Sequence, residues 1–212
     1  MLEHVHWLGH DTFRIDGSST IYVDPWKLGA GQPPAHGILV THDHYDHFSP
    51  DDIAKVAGPA TVVVGPSHVT AKIRDRLTLA IHYGETLDVG TAKVTAVPAY
   101  NVNKFKKPGV VYHPRDEGHV GYIIDMDGVR IYHAGDTDVI PEMQGIEVDV
   151  ALLPVSGTYT MTAGEAAEAC TMLKAAVAVP MHFGDIVGSD EDAQRLKRLC
   201  RIPVAILDRE GS

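Results

Sequence analysis

The chain has 212 residues, with 18 Lys and Arg against 28 Asp and Glu for a formal net charge of −10, and it is 44% hydrophobic and 22% charged. That length suits one domain with a substantial core, and the composition excludes a disordered or collagen-like chain, while the acidic balance argues against a general nucleic-acid binder, which carries a basic face. Two cysteines, Cys170 and Cys200, exclude a disulfide framework or a multi-cysteine zinc site, whereas 13 histidines are an unusual supply of the commonest metal-ligating side chain.

The N-terminus MLEHVHWLGHDTFRID has no basic start followed by an apolar core. Apolar runs such as residues 175–181 fall short of the ~20 residues a membrane span needs. We therefore expect a cytoplasmic protein without a membrane span. No linker, repeat or low-complexity stretch interrupts residues 1–212, which reads as a single domain. Strands are predicted over residues 12–15, 20–23 and 37–41, then a short helix over 50–57 and a buried strand over 61–64, rich in β-branched residues. A helix is predicted over 67–76. A hairpin over 86–97 turns at Val89-Gly90-Thr91, and strands over 119–125 and 129–133 are joined through Asp127-Gly128, a hairpin-turn pair. A strand follows over 149–155. Thr162 and Glu165 have capping-box spacing ahead of a helix over 163–174. A strand over 176–181, a helix opened by Ser189 and Asp192 and running through 198, and a final strand over 204–207 complete the chain. Strands in both halves with helices between them predict an α/β layered fold with mixed sheets.

The segment Thr41-His42-Asp43-His44-Tyr45-Asp46-His47 follows the apolar strand directly. Two histidines two residues apart suit a tight loop leaving a strand, unlike the i, i+4 pair of a helical zinc motif. Such a loop can turn His42 and His44 toward one ion and Asp46 and His47 toward a neighbour. Imidazole with carboxylate suits zinc and also admits iron or manganese. Two further strand ends carry ligand types: His133-Ala134-Gly135-Asp136-Thr137, where the glycine permits a tight turn, and Met181-His182-Phe183-Gly184. Sites in layered α/β proteins gather where strands end, so these three ends predict a shared two-metal centre.

The segments H-D-H-Y-D-H, G-D-T and P-M-H-F-G resemble the metallo-β-lactamase-fold hydrolases over nearly the whole chain, from Trp7 to Gly184. The N-terminal W-L-G-H-D-T-F-R-I followed by I-Y-V-D-P is similar to the branch containing L-ascorbate-6-phosphate lactonase and N-acyl-phosphatidylethanolamine phospholipase D. The resemblance implies an αββα four-layer sandwich with two metals at the top of the sheets, most simply Zn2+, with Mn2+ or Fe2+ as alternatives. It implies that His42 and His44 bind the first ion, that Asp46, His47 and His182 bind the second, and that Asp136 bridges them. Asp46 and Asp136 are accordingly the expected catalytic carboxylates. The family supplies a third histidine to the first ion from a P-A-x-H segment, but this chain reads Pro98-Ala99-Tyr100-Asn101. Asn101 is a poor zinc ligand. His113 or, after it, His119 can take its place.

The implied reaction is attack by a hydroxide held on the metals upon a small ester, lactone or phosphodiester. No serine nucleophile is needed, and Ser156 lacks a G-x-S-x-G elbow. His10, Asp24 and His133 are expected to support the ligands, since ligating imidazoles need an outer partner to fix the tautomer. Lys104, with Lys106, Lys107 and Arg115, is expected to receive an anionic group, such as the phosphate of a phosphorylated metabolite, and Tyr159 to line the pocket. The absent P-A-x-H histidine admits a second reading, a non-catalytic metal-binding protein that kept the fold. A nuclease or phosphodiesterase acting on nucleic acid is a third reading, disfavoured by the charge.

Overall fold

Strand formation follows the alternation of apolar residues, and most strands fall where that pattern is regular. The structure is a computed structural model and describes residues 1–210. Strands β1 (Val5–Gly9), β2 (Thr12–Asp16), β3 (Thr20–Val23), β4 (Ala35–Leu39), β5 (Ala57–Gly65) and β6 (Thr78–Ala80) form one sheet in chain order. Helices α1 (Pro50–Val56) and α2 (Ser67–Thr70) interrupt its second half. The second sheet has the order β14-β13-β12-β11-β8-β7, built from β7 (Thr86–Val89), β8 (Ala92–Pro98), β11 (Val120–Met126), β12 (Val129–His133), β13 (Glu147–Pro154) and β14 (Lys174–Met181). A small ribbon of β9 (Phe105–Lys107) and β10 (Val110–Val111) lies apart, and helices α3 (Ala163–Met172) and α4 (Asp190–Leu199) belong to the second half. Each large sheet is mixed: β1–β3 and β7, β8, β11, β12 pair antiparallel, whereas β3–β6 and β12–β14 pair parallel.

Side chains sort by the two-residue period of a strand. Ile21, Val23, Leu39 and Val64 face the large core shared with Val94, Ala96, Tyr122 and Ile124 of the second sheet. Their neighbours Tyr22, Ile38, Val40 and Val63 face the other way, onto Ile53 and Val56 of α1 and Val69 of α2. Helices α3 and α4 cover β13 and β14 through Ala166, Ala169, Ala193 and Leu196. The result is the expected αββα sandwich. Among the described residues no helix is long and apolar enough to cross a membrane.

The differences from the predicted elements have local causes. Strand β1 is absent from the predicted elements because it is only five residues long and the partly exposed His6 interrupts its apolar residues. Helix α2 ends at Thr70 rather than running to residue 76. The Thr70 hydroxyl bonds back to the carbonyls of Pro66 and Ser67, and Lys72 and Ile73 close three-residue turns, so the chain bends away toward β6. Residues 204–207 make no strand: Val204 forms only an isolated bridge to Ala178. Ala205 N–H donates to Ala178 C=O, and Ala178 N–H donates to the carbonyl of Pro203, which has no N–H of its own to extend a ladder.

Candidate metal centre

The carboxyl ends of the parallel strands in both sheets lie at one end of the sandwich, and two bonds stitch the sheets there. Tyr122 OH donates to Val40 C=O at 2.7 Å, and Val120 N–H donates to Thr41 C=O at 3.1 Å. Most candidate ligands leave the large sheets at this end, and His113 comes from the stretch after β10. The β1–β2 turn supplies His10 and Asp11, the loop after β4 supplies His42, His44, Asp46 and His47, the turn after β12 supplies Asp136, and the residue after β14 supplies His182. The β1–β2 turn is tied to the last of these by His182 N–H donating to His10 C=O at 3.1 Å. His10 and His182 both have positive φ, of 51° and 59°. Such backbone is uncommon for residues other than glycine and fits a position defined by its surroundings. Gly135 has a φ of +63°, and a Cβ there would stand 2.8 Å from the Val120 carbonyl oxygen. Glycine thus permits the turn that presents Asp136.

Two neighbouring groups of donors result. In one, His44 Nδ1 lies 3.0 Å from His42 Nε2 and 3.2 Å from His113 Nε2. In the other, the donor atoms of His10, Asp46, His47 and His182 lie within 4.8 Å of one another, as do those of Asp11, His47, Asp136 and His182. Asp136 stands between the groups: Oδ2 is 3.2 Å from His113 Nε2 and 3.4 Å from His182 Nε2, and Oδ1 is 3.3 Å from His47 Nε2. Nε2 of His47, Nε2 of His182, both oxygens of Asp11 and Oδ1 of Asp136 are buried without a hydrogen-bond partner. Leaving one buried polar atom unpaired costs ~1–3 kcal/mol. Five such atoms around one point fit a cation that accepts their lone pairs.

The opposite ring nitrogens are held by the protein. His47 Nδ1 meets Asp24 Oδ2 at 2.8 Å, His42 Nδ1 meets Thr41 Oγ1 at 3.0 Å, and His182 Nδ1 meets Ser156 Oγ at 2.9 Å. Each arrangement leaves Nε2 directed inward, the pattern of a metal-binding imidazole. Asn101 occupies no comparable position. Its Oδ1 accepts from His113 N–H and meets His113 Nδ1, both at 2.9 Å, while its Nδ2 donates to Tyr159 C=O at 3.0 Å. Its amide therefore orients His113. His133 spends both nitrogens on backbone: Nε2 donates to Asp11 C=O at 2.9 Å, and Nδ1 accepts from Gly135 N–H at 3.2 Å. It braces two turns of the site from behind.

Electrostatics divide the groups. Burial lowers the basicity of His113 to a pKa of about 4, and Asp136 offsets this only in part. Burial and the neighbouring His47 likewise hold His42 well below the usual imidazole value. Burial opposes charge on His182 too, but Asp136 and Asp11 overcome it and raise the pKa to about 9. His47 is held well above the usual value because Asp136 and Asp24 outweigh its burial. Burial works against ionised Asp46, yet the His10 contact and the His47 charge bring its pKa to about 2.

A cavity of about 230 Å³ opens onto this centre, lined by His44, Tyr45, Asp46, Tyr112, His113, Asp136 and Tyr159. Tyr112 and Tyr159 meet edge to face at 4.8 Å and form one wall. Tyr159 is thus among the residues that line this cavity. Lys104 is brought elsewhere: its buried Nζ lies 2.8 Å from Glu165 Oε2, 3.2 Å from Asp138 Oδ1 and against Asn103 Oδ1. Oxygens of three residues occupy it, so it anchors the start of α3 instead of receiving an anion. Arg115 pairs with Glu142 at 2.7 Å. Sequence reasoning missed Asp11, which reads as an ordinary turn aspartate, and Ser156, whose role exists only beside His182. The G-H-D tripeptide was the available signal for Asp11.

Comparison with known proteins shows the family of the chain. Residues 4–182 match the family described as a beta-lactamase superfamily domain. The chain is 35% identical over 211 residues to the UPF0173 metal-dependent hydrolase of Pyrococcus horikoshii, covering 92% of this chain and 91% of that protein. It is 37% identical to the UPF0173 metal-dependent hydrolase of Thermococcus kodakarensis, with the same coverage of 92% and 91%. A crystal structure from Parabacteroides distasonis, described as that of a metal-dependent hydrolase, superposes with a TM-score of 0.82 at 33% identity, covering 95% of this chain and 91% of the other.

Proposed function

This chain belongs to the metallo-β-lactamase superfamily, and from that membership and its buried ligand box we propose a hydrolase with a two-ion centre acting on a small ester, lactone or phosphodiester. The observation that carries the reading is the convergence of five unpaired buried donor atoms from four strand ends. We assign His42, His44 and His113 to one ion, and Asp46, His47 and His182 to the other, with Asp136 between them and Asp11 facing the second. Zn2+ suits this donor set best, with Mn2+ or Fe2+ as substitutes. When bound, divalent ions supply Lewis acidity, acidifying water and polarising the scissile group.

The protein's own part is positioning and proton handling. Asp46 is ionised, faces the cavity and lies 3.2 Å from His10 Nε2. It can hold a water by its proton and pass that proton toward the leaving group, which makes it the catalytic carboxylate beside Asp136. Tyr45, Tyr112 and Tyr159 give the cavity aromatic walls. Among the described residues no lysine or arginine lines it. With Lys104 engaged by Glu165 and Asp138, bound metal ions would be the positive charge there, and a neutral ester or lactone fits better than a phosphorylated metabolite. The resemblance to the lactonase and phospholipase D branch supports the same bond types.

The test combines metal content with turnover. Protein purified without chelator is analysed for Zn, Mn and Fe and assayed on aryl esters, lactones and an aryl phosphodiester, beside Asp46→Ala. We expect bound metal and hydrolysis that Asp46→Ala abolishes, with esters or lactones ahead of the phosphodiester. Less than one metal per chain and no Asp46-dependent turnover would favour a non-catalytic protein.

A further inference from the structure

Beside the central box lies another set of ligand-type side chains that the proposed reaction does not use. Asp43 comes from the loop after β4, His68 from α2, and His119 from the residue before β11. One donor atom from each lies within 4.8 Å of the other two. They open onto a cleft of about 360 Å³ lined by Asp43, His68, Glu117 and His119. His68 Nε2 stands 3.7 Å from Asp43 Oδ1, too far for a hydrogen bond, and is buried without any other partner. His119 is almost wholly buried, and its Nδ1 also has no hydrogen-bond partner, while its Nε2 is 3.4 Å from Glu117 Oε2. Lys72 pairs with Asp43 through Oδ2, and Oδ1 is the oxygen nearer His68. A carboxylate held by one oxygen is in the usual state of a single-oxygen metal ligand.

His119 stands where the two sets meet: one of its ring nitrogens also lies within 4.8 Å of donor atoms of His42 and His113. His42, His44 and His113 converge in the central box at 3.0 and 3.2 Å. The His119 ring stacks on His42, with centroids 4.8 Å apart and planes at 26°. We propose that Asp43, His68 and His119, completed by Glu117, bind a further divalent transition-metal ion outside the two-ion centre. Two imidazoles and two carboxylates are a zinc-type donor set. The ion would add a tie between three segments at this corner, the ligand loop, α2 and the lead into β11, which Lys72–Asp43 and Val120 N–H to Thr41 C=O already join in pairs. His42 is bonded to Asp43 through the chain and stacked on His119, so such a tie would also steady one wall of the central box.

The test is a difference in zinc content. The purified protein, His68→Ala and Asp43→Asn are each dialysed against the same low concentration of free Zn2+, and zinc per chain is measured by mass spectrometry. The site predicts that each variant holds one equivalent less than the unaltered protein. It also predicts that zinc raises the melting temperature of the unaltered protein more than that of either variant. Equal zinc content in all three proteins overturns the proposal, as does a loss in His68→Ala with none in Asp43→Asn. Failure of the two-ion centre would lower zinc in all three alike and leave the difference intact.

Discussion

The carboxylate of Asp24 is fully buried and receives three hydrogen bonds: from Thr41 N–H at 2.8 Å, from the Thr41 hydroxyl at 2.7 Å and from His47 Nδ1 at 2.8 Å. It therefore sets both the start of the ligand loop and the tautomer of His47. In Asp24→Asn an NH2 replaces one acceptor, and whichever way the amide turns, at least one of these donors loses its partner. We expect metal affinity to fall ~10–100-fold with the fold retained, as for other partners of ligating histidines. Competition against a chromophoric chelator measures this, and unchanged affinity would remove His47 from the ligand set. Asn101→Ala tests the other side. Without the amide, His113 loses the contacts to its ring and its N–H, and affinity at the first position is expected to fall by a similar factor. At this scale the sequence was readable where a ligand type follows a strand and a tight turn, as with His42, Asp136 and His182. It was not readable where the role depends on a partner from a distant element. Nothing near Asn101 in the chain announces that its amide faces His113, and Lys104 looked free because Glu165 and Asp138 are 61 and 34 positions away in sequence.

Elements place these residues, and two of them can be tested separately. The turn after β12 depends on Gly135, whose φ is +63° and whose Cβ position lies 2.8 Å from the Val120 carbonyl oxygen. Gly135→Ala must strain the backbone or move β11, at a cost of ~1–3 kcal/mol. The urea midpoint is expected to fall with an unchanged slope, and activity to fall further than stability because Asp136 moves. The capping box of α3 was legible from Thr162 and Glu165 three residues apart, since caps are local. Its tertiary partner was not. Burial opposes ionisation of Glu165, but Lys104, the Thr162 N–H and Asn103 together hold its pKa at about 2, against 4.5 unperturbed. A depressed carboxyl stabilises the fold above the unfolded value and loses that contribution as pH falls through the folded one. Glu165→Gln should therefore flatten the decline in stability between pH ~4.5 and ~2, read as denaturation midpoints across that window.

At the scale of the whole molecule, the ligands join parts of the chain that meet only when both sheets are stacked: the β1–β2 turn, the β4 loop, the β12 turn and the end of β14. A cation bound there favours the native state by mass action, ~2.7 kcal/mol at a free concentration one hundred times its dissociation constant. For a chain of this size that corresponds to a melting temperature higher by about 5–10 °C. The size of the shift should depend on pH, because protons compete for the same nitrogens. Burial disfavours a charged His182, but Asp136 and Asp11 raise its pKa to about 9, and Asp136 with Asp24 holds His47 well above its ordinary value. A raised imidazole contributes stability that is complete below its unfolded pKa, near 6.5, and disappears as pH rises through the folded value. Stripped protein should therefore lose stability between pH ~6.5 and ~9, as the charges that balance Asp136 and Asp24 are removed. Loaded protein keeps that balance through the cation. The gap in melting temperature between loaded and stripped samples should widen steadily across this interval, measured by scanning calorimetry on protein gel-filtered after chelation. A gap that stayed constant with pH would mean that the cation does not replace the protons of His47 and His182, and would place the metal elsewhere in the box.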